Sequence, residues 1–409
     1  MFKLFLILFI GFIDYLGIGL VYPIFGVMLF DPANPMLPAD ASSSFRGAIL
    51  GILMGLTPLT AFVFSPFLGA FSDSHGRKKG IIFGMAAGCL GYGLAVAALF
   101  FNSLALLFAF RILVGITEAS AAVAQAAIAD ISTEDNKARR FSLFSSSAGL
   151  GFTIGPFIGG QLGELGSSLG FNYSLPFFIA GLLCFVNLSW VWCIFPEGAI
   201  SKKKISFNLV ESFITLRKVL LWKHLAWLFA ACFCLSFAWA FFNEFMPVLL
   251  QHHFDFTLSE IGNYFAWGGI WYCLSSGLLT APLLARVSLE KIVVGSLSGC
   301  SVCMGIFSII ENPLSIWLTL PFLMFFLASA FPTLASIVSN KTDSGSQGEV
   351  LGVFYSIQGC AMGLSPIFVG SLIGAYPALT GYGSALMMAL ACVAFLRGTR
   401  KENPLPIDM

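Results

Sequence analysis

Apolar residues run along this chain in long blocks broken by short polar turns, and the block length carries the signal. A helix needs about 20 predominantly apolar residues to cross a bilayer. Twelve runs of that order recur, at 4–29, 46–71, 80–101, 103–131, 141–162, 174–195, 225–250, 259–284, 291–310, 314–339, 349–374 and 380–397. Several contain Gly or Pro, which membrane helices tolerate better than soluble ones. The first run is too long for a signal-peptide core, contains Asp14 and lacks a small-residue cleavage site, so it reads as a retained helix. The pattern predicts an all-α polytopic membrane protein with twelve transmembrane helices.

Composition agrees. The hydrophobic fraction is 58%, charged residues are 10%, and Phe supplies 44 of 409 residues, too greasy a mixture to coat a soluble surface. Threading the chain from a cytoplasmic N-terminus puts 19 of the 21 Lys and Arg on the inner side, Arg46 alone outside and Arg111 within a span. Such asymmetry fixes orientation, with both termini cytoplasmic and an even number of spans. The net charge of +1 therefore reports topology and gives no sign of a nucleic-acid partner. All ten Cys lie in or beside apolar runs, and Cys232-x-Cys234 and Cys300-x-x-Cys303 read as packing residues with no disulfide. His252, His253 and Asp255 read as a solvated outer loop, and no metal is expected.

The longest predicted inner connection, 196–224, divides the spans six and six. The implied domains are an N-terminal bundle (1–195), the linker (196–224), a C-terminal bundle (225–397) and a cytoplasmic tail (398–409). Phe144, Ser146, Gly149, Pro156 and Gly160 recur as Phe354, Ser356, Gly359, Pro366 and Gly370, at a constant offset of 210. This suggests two pseudo-symmetric six-helix bundles in parallel repeat, an arrangement that puts a substrate site near the midplane.

An ionised side chain at the bilayer centre costs about 2.5–3.5 kcal/mol on insertion scales, so each one needs a reason. The candidates are Asp14, Arg111, Glu118 and Glu244. Arg111 and Glu118 are seven residues apart, about 10.5 Å along one helix face, and are expected to line one polar cavity. Glu244 is expected nearer the outer end of its span, within reach of water. Asp14, Arg111 and Glu118 are the first choices for proton coupling, with a fixed interhelical ion pair as the alternative role.

Charge also gathers at 69–80, "GAFSDSHGRKKG", between the second and third spans. Gly69 and Gly76 suit close approach and a tight turn, and Asp73 can pair with a cation or cap backbone amides. This stretch resembles the signature loop of the major facilitator superfamily. "IDYLGIGLVYPIF" (13–25), "RILVGITEASAAVAQAAIADIS" (111–132) and "GLGFTIGPFIGG" (149–160) resemble the first, fourth and fifth helices of its drug–proton antiporters, closest to tetracycline-type exporters. The similarity persists at 347–370, "QGEVLGVFYSIQGCAMGLSPIFVG". The resemblance implies a cytoplasmic charge cluster of Asp73, Arg77 and Asp130 beside Gly69 and Gly76. It also implies an antiporter-associated motif at Gly151, Gly155, Pro156, Gly159 and Gly160; ordinary small-residue packing explains the same glycines equally well. Tetracycline exporters carry acids in the third and ninth helices, where this chain has Gly91 and none, and they have glycine where it has Glu118. The substrate cavity is therefore arranged differently.

The favoured expectation is a proton-coupled antiporter exporting a small amphiphilic molecule from a bacterial inner membrane. A symporter importing a metabolite or siderophore and a non-transporting receptor or scaffold are the alternatives. No nucleophile–base pattern, ligand cluster or nucleotide-binding domain suggests an enzyme or an ATP-driven pump. The expected partners are a small-molecule substrate, protons and the lipid bilayer, with no nucleic acid and no cofactor, and the chain is expected to be monomeric.

Overall fold

The computed structural model describes residues 2–171, 173–196, 222–342 and 347–400. The expected linker lies outside them apart from its ends, as does the tail beyond residue 400. All regular structure among the described residues is helical. The first span comprises α1 (Phe2–Val21) and α2 (Ile24–Phe30), broken at Tyr22 and Pro23. There follow α3 (Ser43–His75), α4 (Arg77–Phe100), α5 (Leu104–Asp130), α6 (Glu134–Ser168), α7 (Ser174–Ile194), α8 (Ala226–Phe254) and α9 (Leu258–Leu274). After α9 come α10 (Thr280–Arg286), α11 (Leu289–Phe307), α12 (Pro313–Asn340), α13 (Gln347–Ala375) and α14 (Leu379–Arg400).

Among the described residues, eleven helices are long and apolar enough to cross a membrane. The twelfth expected span, 259–284, is helical from Leu258 to Arg286, but Ser275–Leu279 adopt a π turn that divides it into α9 and α10. Large side chains such as Leu90, Phe100, Phe185, Trp192 and Phe368 are exposed, as lipid-facing residues must be.

The chain divides into two compact units, one built from 1–212, 244–270 and 366–377, the other from 213–243, 271–365 and 378–409. These do not follow the two halves of the sequence, because 244–270 and 366–377 pack with the first unit. Glycines explain the packing. A Cβ on Gly160 of α6 would lie 2.6 Å from the Leu258 carbonyl oxygen and 3.1 Å from Gly262 Cα in α9. In α3, a Cβ on Gly47 would lie 2.8 Å from Gly374 of α13, and one on Gly51 would lie 3.2 Å from Gly370 Cα. Backbone meets backbone at both crossings, as small residues permit. Within the second unit α12 and α14 pack on α11, and among the described residues its buried polar residues are all Ser or Thr.

Arg46, the exception in the cation count, is 4% exposed at the start of α3. Its guanidinium donates to the carbonyls of Leu29 (2.7 Å), Pro38 (2.8 Å) and Ala41 (3.2 Å), gathering the 31–42 loop around itself. It serves the fold, so its side of the membrane carries no topological weight. Arg46→Met should lower stability by about 1–3 kcal/mol, the cost of stranding buried carbonyls. Thermal melting in detergent would read the loss, and amide exchange should quicken at 31–42.

Candidate functional site

Of the ionisable groups inside the first unit, Asp14 and Glu118 come together. Asp14 lies midway along α1 and Glu118 in α5, and both line a cavity of about 20 Å³ with Tyr15, Thr117 and Ser120. That is room for a water with several polar partners. Asp14 also borders a second cavity of about 10 Å³ with Tyr92, Thr117 and Cys184. Thr117 is on both walls; its hydroxyl donates to the Gly84 carbonyl of α4 at 2.9 Å, tying α5 to α4. Asn187 of α7, 1% exposed, donates to Asp14 Oδ1 at 3.0 Å and to the Ile10 carbonyl at 3.2 Å.

Arg111 departs from expectation, since neither of these cavities is lined by it. The reason lies in α3. Pro58 has no N–H, so the carbonyl of Met54, four residues earlier, loses its helical donor. Arg111 fills the gap: its Nη2 donates to Met54 O at 3.2 Å and its Nε to Leu53 O at 2.8 Å. The Thr57 hydroxyl returns a bond to the Arg111 carbonyl at 3.0 Å, and the guanidinium lies 5.1 Å from the centre of the Phe25 ring. It remains near enough to act electrostatically on Glu118 and Glu244. Glu244 is half-buried in α8, with its Oε2 buried without a hydrogen-bond partner and Tyr22 within hydrogen-bonding reach of the carboxylate.

At the turn between α3 and α4, Arg77 joins both aspartates. It pairs with Asp73 and reaches Asp130 at 2.8 Å, and its Nη1 also donates to Ser72 Oγ at 2.8 Å. Arg77 is 16% exposed and each aspartate 50%, so water reaches both acids. Gly76 carries the turn at φ 99°, a conformation that suits glycine. Gly69 does not serve close approach, since a Cβ there would meet nothing within 4 Å.

In α6 the expected motif faces two helices. A Cβ on Gly155 would lie 2.7 Å from Gly19 Cα, and Gly151 and Gly159 press on the backbone of Phe12 and Leu20, all in α1. Gly160, one residue on, and the Pro156 carbonyl face Gly262 of α9. No group of three or more His, Cys, Asp or Glu gathers at metal-binding spacing among the described residues; the His252 ring packs edge-on against Phe30. Cys89 and Cys184 are free thiols with their sulfurs 3.4 Å apart beside the smaller cavity, a pairing across 95 residues that spacing could not reveal.

The chain matches the Major Facilitator Superfamily over residues 7–366 and belongs to it. It is a multi-pass membrane transporter of that superfamily and not an enzyme. It is 27% identical over 396 residues to the tetracycline resistance protein, class C, of Escherichia coli, covering 94% of each chain. Over 356 residues it is 25% identical to multidrug resistance protein 2 of Bacillus subtilis (strain 168), covering 84% of this chain and 81% of that one. Its fold is similar to that of the human organic anion transporter MFSD10 (TETRAN), with a TM-score of 0.69 at 18% identity over 96% of this chain and 98% of that one.

The Arg111 clasp makes a prediction that charge alone does not. Arg111→Lys keeps the charge but lacks the two-pronged fork, so it should destabilise the protein nearly as much as Arg111→Ala. Adding Pro58→Ala, which returns an N–H to Met54 O, should recover part of the Ala variant's loss. A melting-temperature cycle over the single and double variants checks both outcomes.

Proposed function

We propose that the chain exports a small amphiphilic molecule by proton-coupled antiport. The observation that carries this reading is the cavity shared by Asp14 and Glu118 inside membrane-spanning helices. A carboxylate there can be satisfied by a proton or by a bound substrate, and competition between the two couples their movements if each favours a different facing state. Arg111, held on α3, supplies a fixed positive charge near Glu118, and Glu244 is a third acid in the same field. The names of the class C tetracycline resistance protein and of multidrug resistance protein 2 support export of a drug-like molecule, as does the Gly-Pro motif of α6. The cation asymmetry supports both termini on the cytoplasmic side, and the bacterial relatives support residence in the inner membrane. The chain would work as a monomer, with no cofactor, in two bundles joined through 196–224.

The Asp73–Arg77–Asp130 cluster is proposed as a cytoplasmic gate. Half-exposed pairs contribute only about 0–1 kcal/mol, so Asp73→Asn should fold and express normally. The same energy applied to a two-state equilibrium shifts it about fivefold, enough to slow transport. Normal transport by a well-expressed Asp73→Asn protein would reduce the loop to a topology signal.

Proteoliposomes with an imposed pH gradient test the main reading, using tetracycline and ethidium as probes. Probe should move against the proton flow. Asp14→Asn and Glu118→Gln should each cut gradient-driven transport about 5–150-fold, the usual range of a coupling free energy, while downhill probe exchange continues. Accumulation in the direction of the protons would instead identify a symporter.

A further inference from the structure

We infer that Asn187 is the positioning residue for Asp14, offering it a donor when the carboxylate is ionised and an acceptor when it is protonated. The inference rests on the reading of Asp14 as a proton-carrying group. The Asn187 side chain is 1% exposed, in the part of α7 that faces α1. Its orientation is fixed by chemistry: the Ile10 carbonyl can only accept, so the atom 3.2 Å from it must be Nδ2. The second N–H of the same nitrogen reaches Asp14 Oδ1 at 3.0 Å, the contact an ionised carboxylate wants. The other end of the amide, Oδ1, is buried and has no partner.

An orphaned acceptor in such a place asks for a donor, and protonated Asp14 can supply one. An acid O–H beside Nδ2 would set donor against donor. A proton on Oδ2 avoids that clash and leaves Oδ1 accepting from Nδ2, and with the amide held by Ile10 a turn of the acid about its own side chain brings the O–H to Asn187 Oδ1. Proton gain thus becomes a displacement of Asp14 between two arrangements, each with a satisfied partner, within a side chain that borders both cavities. The titratable groups around Asp14 are Glu118 from α5, Cys89 and Tyr92 from α4, Cys184 from α7 and its neighbour Tyr15 on α1. None of them supplies the orienting pair of amide contacts.

Infrared difference spectroscopy on the purified full chain, stepped in pH without any transport probe, tests this directly. The wild-type spectrum should contain an acid carbonyl band that is lost in Asp14→Asn, accompanied by an asparagine side-chain amide band that is lost in the same variant. In Asn187→Leu the amide band should vanish and the acid band should move to higher wavenumber, toward an acid with no acceptor. Should Asn187→Leu fail to fold, Asn187→Gln, which carries the same amide on a longer stem, answers the same question: the amide band and the Asp14 acid band must both shift. An Asp14 band at the same wavenumber in Asn187→Leu, or a pH-dependent amide band that persists in Asp14→Asn, overturns the inference while leaving proton-coupled export standing. Absence of any Asp14 band across the pH range overturns both. Transport that ignores the pH gradient, with the paired bands intact, overturns only the export reading.

Discussion

A polar group inside a bilayer has no water to fall back on, and this constraint shapes the buried features of the first unit. Where a helix cannot satisfy itself, another part of the protein must. Pro58 leaves the Met54 carbonyl open, and Arg111 closes it from α5. The clasp is reciprocal, because Thr57 bonds the carbonyl of Arg111 itself. Both helices lose something if either side moves, so the positive charge is tethered. The carboxylates are less constrained: Asp14 and Glu118 face small cavities, and one oxygen of Glu244 has no partner. The cation is tethered while the acids keep unused bonding capacity, which is the contrast that the proposed proton exchange on the acids relies on.

The glycine crossings follow from the same constraint. Helical backbone amides bond within their own helix, so two helices meeting glycine to glycine sacrifice only van der Waals contact when they part. A crossing made of interhelical hydrogen bonds would strand polar groups in lipid on separation. The α6–α9 and α3–α13 contacts can therefore be close and still reversible; the Gln161–Ser259 hydrogen bond that α6 and α9 also share is exposed, so parting strands neither side chain in protein interior. Pro156 and Gly160 in one, and Pro366 and Gly370 in the other, stand at the repeat offset of 210, so one solution has been used twice. The charge cluster at the α3–α4 turn obeys a different rule because its acids touch water. There, ionic contacts can break without stranding anything.

The block pattern made the helices legible, since hydrophobic length is a bulk property that tolerates local irregularity. It could not show the π turn at Ser275–Leu279, because the break lies in backbone hydrogen bonding and not in the apolar pattern of 259–284. The gathering of Asp73, Arg77 and Asp130 was legible through the resemblance of the loop, and the meeting of Asp14 with Glu118 through the rarity of acids in such runs. The destination of Arg111 was not, although half the clue was present: a proline inside a membrane helix leaves a carbonyl open four residues back. Asn187 was missed because it is uncharged, so a search for ionisable groups passes over it. A strongly polar amide amid Phe, Val, Leu and Trp has the same need for a protein partner as a charge does. The segments 244–270 and 366–377 could not be assigned to the first unit from sequence, since glycine stripes show that something approaches closely and not which helix does so.

The two units also differ in chemistry. Among the described residues, the buried polar residues of the second are Ser and Thr, and at the repeat offset the positions of Arg111 and Glu118 hold Pro321 and Ala328. Hydroxyls can bond to the carbonyl of their own helix, as Thr280 does to Ser275 and Ser384 to Thr380, so they can be buried without a partner helix. Arg111, Asp14 and Asn187 cannot manage this and depend on three or four helices held in register. What was duplicated is the frame of glycine and proline that lets helices approach and bend. The charges require a particular neighbourhood, and a repeated frame does not by itself recreate one, so a carboxylate placed at Ala328 would enter the hydrocarbon region without an Arg111 in the equivalent place. Acids and a buried guanidinium gathered in one unit are therefore what the cost of burying charge leads one to expect of a duplicated frame.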